Sequence, residues 1–363
     1  MPGITAACAQ GEDKHEDDVA VIRARFHDDG EVASMSPLSL TLACDGYDRT
    51  NALRTGSVRP TGIDLNYLAL PVEETFHRMV KYREFDVAEL SLSSYLLTLE
   101  SDDQPFVAIP VYPSRSFRHS GIYVNTAAGI DKPEDLVGKV VGVPEYQVTA
   151  AVWIRGMLAE HHGVPVDSVK YRTGGIHAPG RTEKIALNLP DSVDIAPIPS
   201  DRTLDEMLVN GDIDALYSPR TPRSFAQGRP EVAHLFEDVV GVEADYFRTT
   251  GIFPIMHVVA IRREVYETNR WIARSLYTAF ESARQQTLAQ IDETASLRYA
   301  LPWLAAEVAR TRAVMGHDYW RYGLDSDPTL DRFLAYSHDQ GLVSRLWSRE
   351  QLFAPEATDD TLV

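Results

Sequence analysis

Eight consecutive residues, Pro113-Ser114-Arg115-Ser116-Phe117-Arg118-His119-Ser120, bring together two guanidiniums, three hydroxyls and an imidazole. A planar guanidinium donates two parallel hydrogen bonds to a carboxylate, so two arginines this close suit a substrate that carries two carboxylates. The segment falls between two predicted strands, Phe106–Val111 and Ile122–Val124, and loops that follow strands are where α/β proteins place ligands. A solvated loop whose arginines pair with nearby acids would have the same composition.

Other residues invite the same double reading. Leu90-Ser91-Leu92-Ser93-Ser94-Tyr95 reads as a strand end passing into a helix. Ser93 and Ser94 then sit at a helix start, either an anion seat with free N–H groups or an ordinary serine cap. Glu145, in Val143-Pro144-Glu145-Tyr146-Gln147-Val148-Thr149, also follows a strand and opens a helix. An acid there complements the helix dipole or carries a proton at a cleft. Gly174-Gly175 through Gly180-Arg181-Thr182-Glu183 is glycine-rich and offers Arg181, but it lacks the GxxxxGK[ST] order of a phosphate loop, so no nucleotide site is expected. His257 lies in the apolar run Pro254–Val258, where a histidine is more often a hydrogen-bonded core residue than a catalyst. No HxH, HExxH or CxxC spacing occurs, and adjacent His161 and His162 diverge on a helix, so no metal site is expected. GxSxG and GxGxxG are absent, which removes the main support for a serine hydrolase or a dinucleotide dehydrogenase.

The elements that must position these residues alternate short apolar runs with amphipathic stretches, the pattern of an α/β fold. Strands are predicted at Leu38–Ala43, Ile63–Leu70, Asp86–Leu90, Lys139–Val143 and Ile213–Tyr217, and a long one at Ile252–Ile261. Val72, Phe76, Met79 and Val80 follow helical spacing behind Pro71. Thr149–His161 reads as a helix stopped by Gly163, and Thr203 with Glu206 makes a capping box before the helix Leu204–Val209, which Gly211 ends. Trp271–Leu288, Leu304–Val314 and Leu330–Ser337 read as helices, so the last third is helical. No repeat and no Ser/Gly linker divides the chain; two lobes would have to share it by crossing back and forth.

The 363 residues suffice for two domains, and 44% hydrophobic with 24% charged residues is ordinary globular composition. A net charge of −18 argues against nucleic-acid binding and makes any cation that lines a cleft stand out as a focus for an anionic ligand. The two cysteines, Cys8 and Cys44, form no disulfide framework and are read as reduced thiols. No run of eighteen apolar residues and no basic-then-apolar leader occurs, so a cytoplasmic protein without a membrane span is expected. Residues 1–36 are rich in Asp and Glu and read as a disordered acidic extension.

Five strings in unbroken order resemble the 4,5-dihydroxyphthalate decarboxylase family: Gly46-Tyr47-Asp48-Arg49-Thr50, Glu89-Leu90-Ser91-Leu92-Ser93-Ser94-Tyr95, Ile109 through Ser120, Gly142-Val143-Pro144-Glu145-Tyr146-Gln147, and Gly251-Ile252-Phe253-Pro254-Ile255-Met256-His257. The similarity runs from about Leu38 to Pro355. Lys132–Lys139 and Gly211–Ala215 are similar to type II solute-binding proteins. One departure is Asp45-Gly46-Tyr47-Asp48-Arg49, where the family order is Gly-Asp-Tyr-Asp-Arg.

The resemblance implies a two-lobed α/β fold of the type II periplasmic-binding-protein kind around a ligand cleft. Each lobe is a mainly parallel sheet flanked by helices, with crossover strands near Ser120–Val124 and Ile252–Ile261. One lobe takes residues 37–121 and 256–363, the other 122–255. It implies a lyase of phthalate degradation that converts 4,5-dihydroxyphthalate to 3,4-dihydroxybenzoate and carbon dioxide without a cofactor. A hydroxyl para to the leaving carboxylate feeds electrons into the ring and favours protonation of the carboxyl-bearing carbon, which removes the need for pyridoxal, flavin or metal. The protein supplies a cationic clamp and proton carriers. Arg115, Arg118 and the Ser93/Ser94 helix start are the expected clamp, with Arg49 and Arg181 as further cations; His119, Glu145 and His257 are the expected proton carriers. The expected partner is a small aromatic carboxylate, with no nucleic acid or membrane, and a homo-oligomer stays open. Two rivals share the fold: a non-catalytic binding protein for a small carboxylate, and a sibling lyase of the chorismate dehydratase or dihydroxynaphthoate synthase type.

Overall fold

The computed structural model describes residues 36–324 and 328–358. The acidic extension expected over residues 1–36 lies, up to position 35, outside the described residues.

β1 (Leu38–Cys44) leads through the short helix α1 (Asn51–Arg54) to β2 (Ile63–Ala69), and the two strands pair in parallel from Leu38 opposite Ile63 to Cys44 opposite Ala69. α2 (Val72–Tyr82) begins directly behind Pro71 and buries Phe76 and Met79 on one face. β3 (Val87–Ser91) is buried along its whole length and passes without a loop into α3 (Leu92–Leu99), followed by β4 (Phe106–Ile109).

The chain then leaves for a second sheet. β5 (Ile122–Asn125), β6 (Val140–Val143) and α4 (Thr149–His162) come first, then β7 (Lys170–Thr173), β8 (Ile195–Pro197) and α5 (Leu204–Asn210). β9 (Ala215–Tyr217), α6 (Arg223–Ala226), β10 (Val232–His234) and α7 (Val239–Thr250) complete this part. The chain returns as β11 (His257–Arg262) and finishes in helices α8 (Arg263–Thr268), α9 (Ile272–Gln290), α10 (Leu304–Met315) and α11 (Thr329–Asp339). Local signals act where they were read: Thr203 Oγ1 accepts from the Glu206 N–H at 3.3 Å at the head of α5, and Gly163 ends α4 at φ +61°.

The first sheet has the order β2-β1-β3-β11-β4 and the second β10-β5-β9-β6-β7-β8. Each is parallel except for one strand, β11 in the first and β5 in the second, which runs antiparallel to both neighbours. The reason is connectivity: β5 and β11 are the strands that follow a crossing, so they enter the sheet from the opposite end.

The long strand expected over Ile252–Ile261 is shortened to the six residues His257–Arg262, because strand pairing begins at His257. Pro254 has no N–H to give a ladder. Residues 252–256 instead run beside the other crossing segment: Ser116 donates its N–H to Pro254 O at 3.0 Å, and Met256 donates to Ser114 O at 2.8 Å. The Pro113–Ser120 segment, read as a loop, is thus one of two paired crossings. β7, β8, β10 and α7 had no counterpart in the sequence reading; three- and four-residue strands are too short to show a period. No helix among the described residues is long and apolar enough to cross a membrane.

Candidate active site

A cleft with about 850 Å³ of solvent space opens beyond the carboxyl ends of β3, β6 and β9, where parallel α/β sheets bind ligands. Its wall draws on both sheets: Phe76 on α2, Ser94 at the start of α3, Glu145 and Gln147 behind β6, Arg220 behind β9, and His257 at the first position of β11.

β11 pairs with β3 so that His257 stands opposite Ser91. Side chains two apart on a strand share a face, so Glu89 lies diagonally across from His257 on that face. The imidazole Nδ1 meets Glu89 Oε1 at 2.6 Å, and no other hydrogen bond of the ring is made among the described residues. Glu89 is completely buried and its remaining capacity is filled by the Tyr47 hydroxyl at 2.7 Å on Oε1, and by the Asp45 N–H at 3.1 Å and the Cys44 thiol at 3.5 Å on Oε2. Burial alone would push the Glu89 carboxyl up, but His257, with the bonds from Tyr47 and Asp45, holds it below the usual carboxylate value. The same burial and the Glu89 charge push the Tyr47 phenol and the Cys44 thiol up. The result is a carboxylate–imidazole pair with the ring in the cleft wall and the carboxylate behind it.

The wall also carries cations. Glu145, 1% exposed, accepts from Arg181 Nε at 2.8 Å, from Lys184 Nζ at 2.5 Å and from the Lys184 N–H at 3.3 Å. It is thus held between two cationic side chains. Arg220 reaches from behind β9 to Glu73 on α2, with Nε 3.0 Å from Oε1. Burial works against Glu73, and Arg220 outweighs it to keep the carboxyl low. Arg118 differs from these three: among the described residues its guanidinium makes one hydrogen bond, from Nε to Met256 Sδ at 3.0 Å, and no carboxylate pairs with it. Burial pulls its guanidinium down to about 10, with Glu243 opposing.

Of the residues singled out from the sequence, Ser94, Arg118, Glu145, Arg181 and His257 line this cleft. The others lie elsewhere, for packing reasons. Arg115 is buried and ties the two crossings to the C-terminal part, donating to Phe253 O at 3.0 Å and Arg321 O at 2.9 Å. His119 is 1% exposed, wedged against Phe236 and Tyr246, and burial with the neighbouring His162 and His161 pushes it down to about 3. Arg49 is sandwiched 4.1 Å from the ring centres of Tyr47 and Trp320 and donates to Pro113 O at 2.5 Å. Ser93 gives its N–H to Thr149 Oγ1 at 3.1 Å, and Ser91 Oγ lies 2.8 Å from the same hydroxyl. The starts of α3 and α4 therefore face each other, with the Ser93 N–H already engaged.

Sequence reading missed Glu89, Gln147, Lys184 and Arg220. Glu89 left a signal, an acid inside an otherwise apolar strand, the same anomaly that drew attention to His257. Lys184, three residues after Arg181, left a weaker one; Gln147 and Arg220 left none. Among the described residues no three His, Cys, Asp or Glu side chains converge so as to hold a metal ion.

No family model matches the chain. The chain is 39% identical over 326 residues to a 4,5-dihydroxyphthalate decarboxylase of Comamonas testosteroni, covering 90% of this chain and 99% of the relative. It is 42% identical over 214 residues to one of Pseudomonas putida, covering 59% of this chain and 83% of that protein. Among solved structures it is similar to the periplasmic aliphatic sulphonate binding protein SsuA of Escherichia coli, with a TM-score of 0.50 and 12% identity over 88% of this chain and 98% of the other. The desulfurization enzyme DSZB matches with a TM-score of 0.50 and 15% identity over 88% and 97%. At such identities the structural likeness shows the fold alone, that of type II periplasmic binding proteins.

Proposed function

The chain belongs to the 4,5-dihydroxyphthalate decarboxylase family, and from that premise we propose how its cleft, as a carboxy-lyase site, converts 4,5-dihydroxyphthalate to 3,4-dihydroxybenzoate and carbon dioxide. The reaction consumes one proton: the carboxyl-bearing ring carbon is protonated, the bond to the carboxylate breaks, its electron pair returns to the ring, and carbon dioxide leaves. The hydroxyl para to that carbon lends electron density as its proton is drawn off and regains the proton at the end.

One observation carries the reading: a guanidinium with no carboxylate partner among the described residues and an imidazole backed by a buried carboxylate line the same cleft. Arg118 meets a substrate carboxylate. A charge-assisted pair of this kind contributes about 1.5–3 kcal/mol. His257 moves the proton, and Glu89 orients the ring through Nδ1 and stabilises the imidazolium that forms. Glu145 keeps Arg181 and Lys184 in place and gives the wall a positive rim in a chain of net charge −18.

The test is to incubate the purified protein with 4,5-dihydroxyphthalate, with and without a chelator, and to follow carbon dioxide release together with 3,4-dihydroxybenzoate. Turnover is expected in both samples. Substrate that is bound and recovered unchanged would overturn the reading.

A further inference from the structure

Gln147 is 1% exposed, lines the cleft, and is only half satisfied. Its amide Nε2 donates to Glu183 Oε2 at 3.0 Å and to the Ile185 carbonyl at 3.2 Å. The Ile185 carbonyl can only accept, so the amide cannot be turned the other way round, and the assignment of nitrogen and oxygen follows from the network. Oε1 is thereby left over, buried and without a hydrogen-bond partner among the described residues, on a side chain that lines the cleft. A buried acceptor without a donor is a standing cost that a ligand donor removes.

We infer that Gln147 Oε1 receives a phenolic hydroxyl of the substrate and makes the cleft prefer a hydroxylated ring over a bare aromatic carboxylate. The inference rests on the decarboxylase reading for the identity of the ligand. The substrate's carboxylates are pure acceptors at neutral pH and would be repelled by an amide oxygen; Arg118 is their partner. Ring hydroxyls are the substrate's only donors. An acceptor also disfavours ionisation of the hydroxyl it binds, so Gln147 suits the hydroxyl that keeps its proton, leaving the one para to the departing carboxylate to be ionised. Gln147 is a positioning residue that fixes which way round the ring lies.

The experiment uses ligands that do not react. Dissociation constants of 3,4-dihydroxybenzoate and of benzoate are measured by calorimetry for the protein and for Gln147→Leu. The expected result is that Gln147→Leu weakens 3,4-dihydroxybenzoate by about tenfold or more while benzoate shifts by less than about twofold, the loss of a hydrogen bond to a buried acceptor. If the substitution only loosened the strand of chain around Glu183 and Ile185, both ligands would weaken together, and that outcome overturns the inference. So does an unmodified protein that binds the two ligands equally well. Gln147→Met, which keeps length and bulk, replaces Gln147→Leu if the latter melts early. Turnover of 4,5-dihydroxyphthalate by the unmodified protein is read separately, so a failed decarboxylase reading shows there and a failed role for Gln147 shows in the ligand ratio.

Discussion

Two carboxylates, Glu145 in the cleft wall and Glu89 behind it, are equally buried, at 1% and 0% exposure, and are employed in opposite ways. Glu145 pairs with Arg181 and Lys184, and on the proposed mechanism its role is to hold those two cations in place. Glu89 faces His257 at the cleft wall, while the Tyr47 phenol and the Cys44 thiol, both pushed up by burial and by the Glu89 charge, keep their protons and donate them to it as hydrogen bonds. On the proposed mechanism the acid that holds the two cations is structural, whereas the acid behind the imidazole at the cleft wall serves a proton relay.

The sharpest way to break that comparison is kinetic. His257→Ala is expected to lower kcat on the order of 10²–10⁴-fold with little change in KM, the usual worth of a positioned acid–base group. Glu89→Gln keeps the shape and one hydrogen bond to the ring, and its loss in kcat should be smaller. A His257→Ala protein that keeps a tenth of its rate would remove the relay.

Glu145→Gln sharpens the other half. It leaves Arg181 and Lys184 facing each other without their anion, and since both are partly exposed, solvent relieves part of the penalty. The expected cost is about 1–3 kcal/mol in urea unfolding, with kcat falling less than in Glu89→Gln. A larger kcat loss in Glu145→Gln than in Glu89→Gln would exchange the two roles.

The smallest effect contrasts His257 with the other histidine that sequence reading set beside it. His119 has no carboxylate partner among the described residues and is pushed from 6.5 to about 3, chiefly by burial. In the unfolded chain it takes up a proton below about 6.5, while the folded chain refuses it down to about 3, so folding stability is present above 6.5 and is lost as pH falls through that window. The slope is about 1.4 kcal/mol per pH unit for one such group. His119→Phe, seated against Phe236 and Tyr246, should flatten urea-derived stability between pH 6.5 and 5. An unchanged slope would show that His119 is not the group responsible.

The positions of most elements were legible because they depend on neighbours along the chain. β1, β2, α2, α4 and α5 follow from apolar runs, helical spacing, the Thr203 cap and the glycine stops. The five cleft-lining residues picked out beforehand share a local feature as well: each sits where a strand ends or a helix begins, or in a chemically rich connection. What misled was composition without topology. Arg115 and His119 come from the same polar octet as Arg118, yet one is stitched between crossings and the other is packed under aromatic rings.

From the sequence alone came the element types, the acidic background against which a few cleft cations stand out, and the family that five ordered strings identify. The tertiary structure alone decided which groups meet. Glu89 and His257 are 168 positions apart, and only the antiparallel register that sets His257 opposite Ser91 brings them to 2.6 Å. Lys184 and Glu145 meet across 39 positions as well, there through the path of a connection rather than strand register. The first pairing depends on strand direction and register, which are set by where the chain crosses between sheets, and no local pattern of residue types encodes that.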